Sequence, residues 1–460
     1  MAMRRRPEEQ QAQMWIATKD IARSAGHPFY RAVNRLLARE GFDRHVEGRC
    51  AKFYAEALGR PSIAPGVYFR MLMVGYFEGI DSERGIAWRC ADSLALREFL
   101  GYALSATTPD HSTLSVIRHR IDLESHQEVF AWVLRVLAGE GLLKGKTLGV
   151  DATTLEANAA LRSIVRRDSG AGYTEFLTQL AGASGIETPT REDLAKLDRE
   201  RRGKGSNEDW VNPHDPDAKI AKMKDGRTHL AHKAEHAADM ETGAVVAVTV
   251  QAADAGDTTT VYETLNCAAE ALRQAKDDPA VGGRMAAGLV QEVVTDKGYH
   301  SNDVVRDLAE MQLRSYISEP RRRGRRVWAG KAEERDAVYA NRRRVGGARG
   351  KALLRRRGEL IERSFAHCYE TGAMRRTHLR GHENILKRLC VHVAGFNLTL
   401  VLRRLLGIGT PRGLQDLPAA LLRALLRALS ALRRWCLATW PATCPPARSS
   451  EPDIALLRAA

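Results

Sequence analysis

The chain of 460 residues has few cysteines and no long apolar run. Its seven cysteines are scattered without a C-x-x-C pair, which argues against a thiolate zinc site and against a disulfide framework. No stretch of eighteen or more uninterrupted apolar residues occurs, so the sequence predicts no membrane span. The basic start is followed by Pro7 and acidic residues where a signal peptide needs an apolar core. We therefore expect a globular, soluble protein of the reducing cytoplasm.

The charge balance is strongly basic. The formal net charge is +15 and the pI is near 9.7, which favours a polyanionic partner over an acidic or neutral one. A role of this charge in solubility alone stays open. The excess is concentrated in residues 321–357, where fifteen lysines and arginines face only three acidic residues. We expect this block to contact the phosphate backbone of a nucleic acid, with Trp328 and Tyr339 either stacking on bases or packing inside the fold.

The N-terminal part, residues 27–140, has the apolar spacing of helices. Capping residues at 108–113 precede an apolar helix that carries Arg118 and Arg120. Short helices joined by tight turns suggest a helix-turn-helix arrangement, and an ordinary all-helical accessory domain is the alternative.

From Lys144 the pattern becomes mixed. A strand ends at Asp151, a hairpin turns at residues 241–243, a second strand ends at Asp296, and a short strand covers 314–317. Helices are predicted near 258–274 and 302–311 and in the late basic stretch. The charged residues 160–225 read as an insertion outside the core. This order predicts a mixed α/β sheet flanked by helices, as in RNase H-like domains.

Three carboxylates stand out in this region: Asp151 and Asp296 at strand ends, and Glu362 in a late helix. Together they could hold a pair of divalent metal ions, the chemistry that phosphodiester cleavage and strand transfer require. Each also has an ordinary explanation, because an aspartate after a strand often forms a turn and a glutamate among arginines often forms an ion pair. Glu359, one turn before Glu362, is the alternative third ligand.

Other polar residues lie on or beside the predicted strands. Lys233, His236 and Lys297 could hold the scissile phosphate or could be surface charges. His229, His232 and His236 have a spacing that suits one face of a helix, whereas the surrounding pattern indicates a strand, so we do not expect a zinc site there.

Several motifs, in order, resemble the DDE transposases of bacterial insertion sequences. They are Gly149-Val150-Asp151-Ala152-Thr153, then Asp296-Lys297-Gly298-Tyr299, then Ile361-Glu362-Arg363-Ser364-Phe365-Ala366-His367, then 374–384 and Ala394-Gly395-Phe396-Asn397-Leu398. The resemblance covers residues 25–406 and includes the preceding helical domain. It departs from a related branch at Gly358 and Tyr369, where that branch has arginine and lysine. Arg357 or Lys387 could substitute for these groups.

The resemblance implies an RNase H-like catalytic core with Asp151, Asp296 and Glu362 as catalytic residues and ligands of Mg²⁺, or of Mn²⁺. It implies cutting of double-stranded DNA at the ends of a mobile element, joining to target DNA, no membrane partner, and a homo-oligomer on DNA, nucleoid-associated in a bacterium. The basic residues that we expect to contact DNA are Lys233, Lys297, Arg342, Arg343, Arg344, Arg355, Arg356, Arg357, Arg375, Arg376 and Arg380.

We thus expect a helical, DNA-binding domain over 1–140, a catalytic domain over 141–408 with the insertion at 160–225, and a tail over 409–460. The tail should hold a basic amphipathic helix and a disordered end. Two other functions stay open: a non-catalytic DNA-binding protein derived from a transposase, and a metal-dependent nuclease without strand transfer.

Overall fold

The computed structural model describes residues 26–55, 62–201, 205–223, 226–321 and 327–411. The predicted tail helix and disordered end, from 412 onward, lie outside these residues. The helices are α1 (Pro28–Arg39), α2 (Phe42–Cys50), α3 (Pro65–Glu78), α4 (Glu83–Asp92), α5 (Leu94–Leu100), α6 (His111–Arg120), α7 (Leu123–Gly139), α8 (Tyr173–Ala183), α9 (Arg191–Glu200), α10 (Asp257–Asp277), α11 (Asn302–Glu310), α12 (Ala332–Gly346), α13 (Ala348–Phe365) and α14 (His382–Leu406). The strands are β1 (Thr147–Glu156), β2 (Val165–Arg166), β3 (Trp210–Val211), β4 (Lys219–Lys222), β5 (Thr228–Asp239), β6 (Val245–Ala252), β7 (Glu292–Thr295) and β8 (Arg314–Ile317).

The N-terminal region is helical, as predicted. Its central helix is α3, which is buried on nearly every side because its sequence is apolar throughout. Asp110 and Asp122 accept hydrogen bonds from the first-turn amides of α6 and α7 and so fix where those helices begin. The predicted capping residues therefore do cap a helix.

The centre of the molecule is a six-stranded mixed sheet. Along one path its order is β4-β5-β1-β7-β8, and β6 also pairs with β5, on a hairpin that turns at 241–243. β5 is antiparallel to β1, whereas β7 and β8 run parallel to β1. Parallel neighbours need a crossover connection, and α10 is the helix in the connection that leads to β7. This sheet with flanking helices is consistent with the RNase H-like fold that the sequence predicted.

The charged stretch 160–225 is more structured than we expected. It contains α8, α9 and the small β2–β3 sheet around a core cluster that includes Ile164 and Trp210. Its end is not an excursion at all, because β4 pairs with the first residues of β5 and extends the central sheet. The alternation in β4 is short and carries lysines at both ends, so its place in the sheet depends on its partner strand.

The long helix α14 lies against the helical region and the sheet. It packs on α3, α7 and β6 and buries most of its length. Among the described helices it is the one that is long and apolar enough to cross a membrane by length and composition. Its burial inside the fold accounts for this composition.

The two arginines of the predicted helix-turn-helix differ in position. Arg118 is buried and donates to Glu83 at 2.8 Å and to Asn384 of α14 at 2.6 Å. Arg120 is exposed. Arg118 therefore ties the helical region to α14 and is not on a DNA-reading surface. Lys387 of α14 is buried beside Arg118 and donates to the Arg118 carbonyl oxygen. Its ammonium group is therefore bound to the helical region.

Candidate active site on two adjacent parallel strands

Asp151 lies within β1, which continues to Glu156 because its second half pairs with β5, so the prediction that the strand ends at Asp151 was wrong. One of its carboxylate oxygens accepts the Ala152 amide at 2.9 Å, and the other accepts Arg357 Nη1 at 2.7 Å. About 25% of the Asp151 side chain is exposed, so the carboxylate is open from one side only. Burial raises the pKa of Asp151, opposed by Arg357 and reinforced by the nearby charge of Asp296. The two aspartates therefore lie close enough to repel each other.

Asp296 directly follows β7. The parallel register pairs Gly149 with Val294, so two residues further on Asp151 and Asp296 are level on adjacent strands. Asp296 caps a short 3₁₀ turn and accepts the Gly298 amide at 2.8 Å. A side chain at Gly298 would begin 2.6 Å from an Asp257 oxygen and 3.1 Å from an Asp296 oxygen. Glycine at this position lets two carboxylates approach the same turn.

A buried polar network supports this turn. Tyr299 donates to Glu235 at 2.6 Å, and Thr260 donates to the same oxygen at 3.0 Å. Lys233 donates to Asp257 at 2.5 Å and to Thr260 at 2.9 Å. Desolvation raises the pKa of Glu235, whereas its hydrogen bonds favour the charged form. The network links β5, the start of α10 and the Asp296 turn.

Lys233 is therefore neither a surface charge nor a ligand for phosphate. It is buried, and its ammonium group is occupied by protein acceptors. Asp257 and Glu235 were missed from the sequence. A signal for Glu235 existed. Lys233 and Glu235 are two residues apart on a strand, so opposite charges lie on the same face of β5.

The helix α13 packs against β1 at Gly149. A side chain there would begin 3.2 Å from Arg357 Cγ and 3.2 Å from Ile361 Cδ1. Arg357 and Ile361, four residues apart, therefore define the face of α13 that meets the sheet. On an ideal helix Glu362 is rotated about 100° from Ile361, whereas Glu359 is about 160° from it. Glu362 is thus turned less far from the sheet-facing side than Glu359 is.

The two glutamates also differ in their partners. Glu359 is exposed and paired with Arg363 at 2.8 Å, one turn along the helix. Glu362 is exposed and has neither a hydrogen bond nor an ion pair to any residue of the described ranges. A carboxylate without a partner is available to a further cation.

His236 of β5 is hydrogen-bonded to α13 and to the turn that follows this helix. Its Nδ1 is 3.1 Å from Ser364 Oγ, and its Nε2 is 2.6 Å from the Tyr369 hydroxyl. Burial lowers the pKa of His236 to about 3, so the ring is neutral at physiological pH. His236 faces Asp151 across the β1–β5 pair. The sequence left His236 open as a phosphate ligand or a surface charge. The structure excludes both roles because the His236 ring is fully buried.

The three histidines of β5 do not form one face. His232 is buried beside Asp215 at 3.1 Å, and His229 is near Glu156 at 3.7 Å. Because strand side chains alternate, His229 points to the opposite side from His232 and His236.

The donor set suits a hard divalent cation. Carboxylate oxygens are the ligands that Mg²⁺ and Mn²⁺ prefer, and Arg357 already balances the charge of Asp151. As the side chains stand, no group of three or more His, Cys, Asp or Glu residues able to hold a metal occurs within the described ranges. Asp151 and Asp296 lie level on adjacent strands, and Glu362 is exposed on α13, which packs against both strands.

The basic residues predicted to contact DNA divide into two groups. The exposed group is Lys297, Arg342, Arg343, Arg355, Arg356, Arg376 and Arg380, of which Arg342 is also bonded to Glu319, Arg356 to the Glu241 carbonyl and Arg380 to the Asn158 carbonyl. Arg344 is bonded to Ser315, Arg357 to Asp151, and Arg375 to Glu370 and Thr153. Of the two aromatic residues in this block, Trp328 and Tyr339 contact each other, with ring centroids 6.1 Å apart.

Comparisons with known proteins agree with this geometry. Residues 18–120 match the family described as transposase domain (DUF772), and residues 150–398 match the transposase DDE domain. No curated protein and no solved structure matches the chain. The second match covers more than half of the chain and spans Asp151, Asp296 and Glu362. The chain belongs to the DDE transposases of insertion sequences.

Proposed function

We propose that the chain cuts phosphodiester bonds at the ends of a mobile DNA element and joins those ends to target DNA. The observation that carries this proposal is the level position of Asp151 and Asp296 on adjacent parallel strands, with an unpaired Glu362 on the helix that packs against those strands. The rigid sheet holds one ligand within β1 and another directly after β7 with little freedom, and the adjoining helix supplies a third.

Asp151, Asp296 and Glu362 would hold Mg²⁺, or Mn²⁺ in its place. When bound, these ions activate the attacking oxygen and stabilise the leaving oxygen. The protein's own contribution is positional. The Asp296 turn is held through Tyr299 and Glu235, and α13 is held through His236.

Arg357 has two roles in this proposal. Its bond to Asp151 keeps that carboxylate charged and oriented, in spite of the burial that raises its pKa. Its guanidinium is bonded to Asp151, and a planar guanidinium also suits the oxygens of a DNA phosphate brought to the site. Arg357 is thus our candidate for the arginine that the related branch carries one position later, at the place of Gly358.

Double-stranded DNA is the partner that we propose for the exposed cations. Lys297, Arg343 and Arg355 are open to solvent, and each phosphate that such a group neutralises releases counterions. Cutting two ends together needs two active sites, so we propose that the chain acts as a homo-oligomer on DNA. The helical region before residue 140 would contribute a second DNA-binding surface.

The test is Mg²⁺-dependent cleavage of a duplex that carries the element's end. Replacing Asp151, Asp296 or Glu362 by alanine should each abolish cleavage while DNA binding is retained. Glu359→Ala is the matched control, because it removes a glutamate from the same helix three residues away, and it should cleave at the wild-type rate. Full activity of any of the three variants would remove that residue from the site.

Two further outcomes distinguish the alternatives. A protein that cuts the duplex but never joins the cut end to a second DNA is a nuclease. A protein that binds the duplex and cuts nothing with either metal is a DNA-binding derivative of a transposase.

A further inference from the structure

A basic pocket lies between the insertion and the sheet, apart from the carboxylates. Its volume is about 420 Å³. It is lined by Asn158, Ala159, Ala160, Arg162, Ser163, Asn212, His214, Arg376 and Arg380. Three of these are arginines, and none of the described lining residues is acidic. Such a composition suits an anion.

Both walls of the pocket are fixed by hydrogen bonds. On the sheet side, the Thr377 amide donates to the Glu156 carbonyl at 2.9 Å, which joins the loop that carries Arg376 and Arg380 to the end of β1. On the insertion side, Asn212 is buried and donates to Ser163 Oγ at 3.0 Å while its oxygen accepts the His214 amide at 2.9 Å. The pocket is therefore part of the folded structure.

The three guanidinium groups are largely available. Arg162 is exposed and makes no ion pair with any residue of the described ranges. Arg380 uses its Nε for the Asn158 carbonyl at 3.2 Å and leaves its other nitrogens toward solvent. Arg376 is 61% exposed, and its nearest carboxylate is Glu156 at 3.7 Å. One carboxylate at the edge does not neutralise three cations.

The pocket lies in line with the active site. β1 runs from Asp151 to Glu156, five residues further. At roughly 3.3 Å per residue this places Glu156, which is paired with Arg376 of the pocket, about 17 Å from Asp151. Nucleotides on one DNA strand are about 3.4 Å apart along the duplex axis. A duplex that follows β1 would therefore bring a phosphate about five base pairs from the cut bond to the pocket.

We propose that this pocket binds a backbone phosphate of the DNA duplex, about five base pairs from the bond that is cut. The insertion is then a DNA-binding element that clamps the substrate against the catalytic sheet. This inference rests on the proposed function, because it takes the carboxylates as the place of cutting.

The first measurement is the salt dependence of binding to the end duplex, for the full chain without metal. Arg162→Glu should bind about tenfold more weakly than wild type, and the slope of log affinity against log salt should fall by about 1. Arg191→Glu is the matched control, because it makes the same change at an exposed residue of α9, elsewhere in the insertion. It should bind as wild type does. Equal affinity and slope in all three proteins would overturn the proposal.

The second measurement locates the phosphate. Single uncharged methylphosphonates are placed along each strand of the duplex. One placed about five base pairs from the cut bond should weaken wild-type binding severalfold and leave Arg162→Glu unaffected. If there is no position at which Arg162→Glu abolishes the effect of the methylphosphonate on binding, the pocket does not hold a phosphate. Both readouts are independent of cleavage. If the carboxylate variants refute the proposed function, binding at the pocket can still be tested.

Discussion

Gly149 is the point at which α13 touches β1, and a single methyl group there should uncouple Glu362 from the aspartates. In Gly149→Ala the new Cβ would be 2.5 Å from Met240 Sδ and 3.2 Å from both Arg357 Cγ and Ile361 Cδ1. Met240 ends in a flexible thioether and can move aside. Arg357 is held by Asp151, and Ile361 is fully buried, so the helix itself must shift outward.

The energetic cost follows from these distances. Two contacts are shorter than ordinary van der Waals distance by a few tenths of an ångström, and one is shorter by about 1 Å. Overpacking of this size costs about 1–3 kcal/mol in free energy of unfolding. The catalytic cost should be larger, because a displacement near 1 Å can lower a rate about a hundredfold.

The assay compares Gly149→Ala with Gly358→Ala. Both replace glycine by alanine, and Gly358 lies on α13 itself, where a Cβ would meet nothing within 4 Å. Gly358→Ala should be slightly more stable than wild type, since alanine favours the helix by about 0.5–1 kcal/mol. Its cleavage rate should be unchanged.

Gly149→Ala should lose at least tenfold in single-turnover cleavage of the end duplex while its affinity for that duplex stays within twofold. Urea unfolding checks that the variant is folded. If Gly149→Ala cleaves as fast as Gly358→Ala, the close approach of α13 to β1 does not position Glu362, and the reasoning is wrong.

Three other predictions concern neighbouring groups. Tyr369→Phe leaves the buried His236 Nε2 without its partner, so the free energy of unfolding should fall by about 1–3 kcal/mol, measured in urea, and cleavage should slow. His126 is buried with its pKa lowered to about 4, so below pH 6.5 the unfolded chain binds a proton that the folded chain does not. Its contribution should fall by about 1.4 kcal/mol per pH unit from 6.5 toward 4, and urea unfolding of His126→Gln at pH 7 and 5 should lack this loss. Arg357→Lys should cleave at least tenfold more slowly in single-turnover assays, because an ammonium lacks the planar fork; a wild-type rate would refute that role.

The sheet and the aspartates were accessible from the sequence for a physical reason. β1, β5, β6 and β7 are apolar enough for local periodicity to identify them, and an aspartate that follows such a strand stands out. Helix starts were equally local, since Asp110 caps its own helix through a residue three positions away.

The buried polar partners were not accessible in this way. His236 meets Ser364 and Tyr369, which are 128 and 133 residues distant in the chain. Arg118 meets Asn384, which is 266 residues away. A single charged residue on a helix or strand has the same local pattern whether it faces solvent or a distant partner. The sequence therefore left Lys233 and His236 open between phosphate contact and surface charge, and it did not show that Arg118 is buried.

The third carboxylate was only partly predictable from the sequence. The sequence left Glu359 and Glu362 open, because both are on one helix and one turn apart. The contact of Ile361 with β1 gives the helix its rotation, and that contact favours Glu362.

The most direct test of the account is to map the residues that surround a bound metal ion. Fe²⁺ in place of Mg²⁺, with ascorbate and peroxide, cuts the polypeptide next to its ligands in the DNA-bound protein. We predict cuts near residues 151, 296 and 362, with the cut at 362 lost in Glu362→Gln and kept in Glu359→Gln. Cuts near 151 and 296 that persist with none near 362, or a third cut that disappears in Glu359→Gln, would contradict a site completed by Glu362.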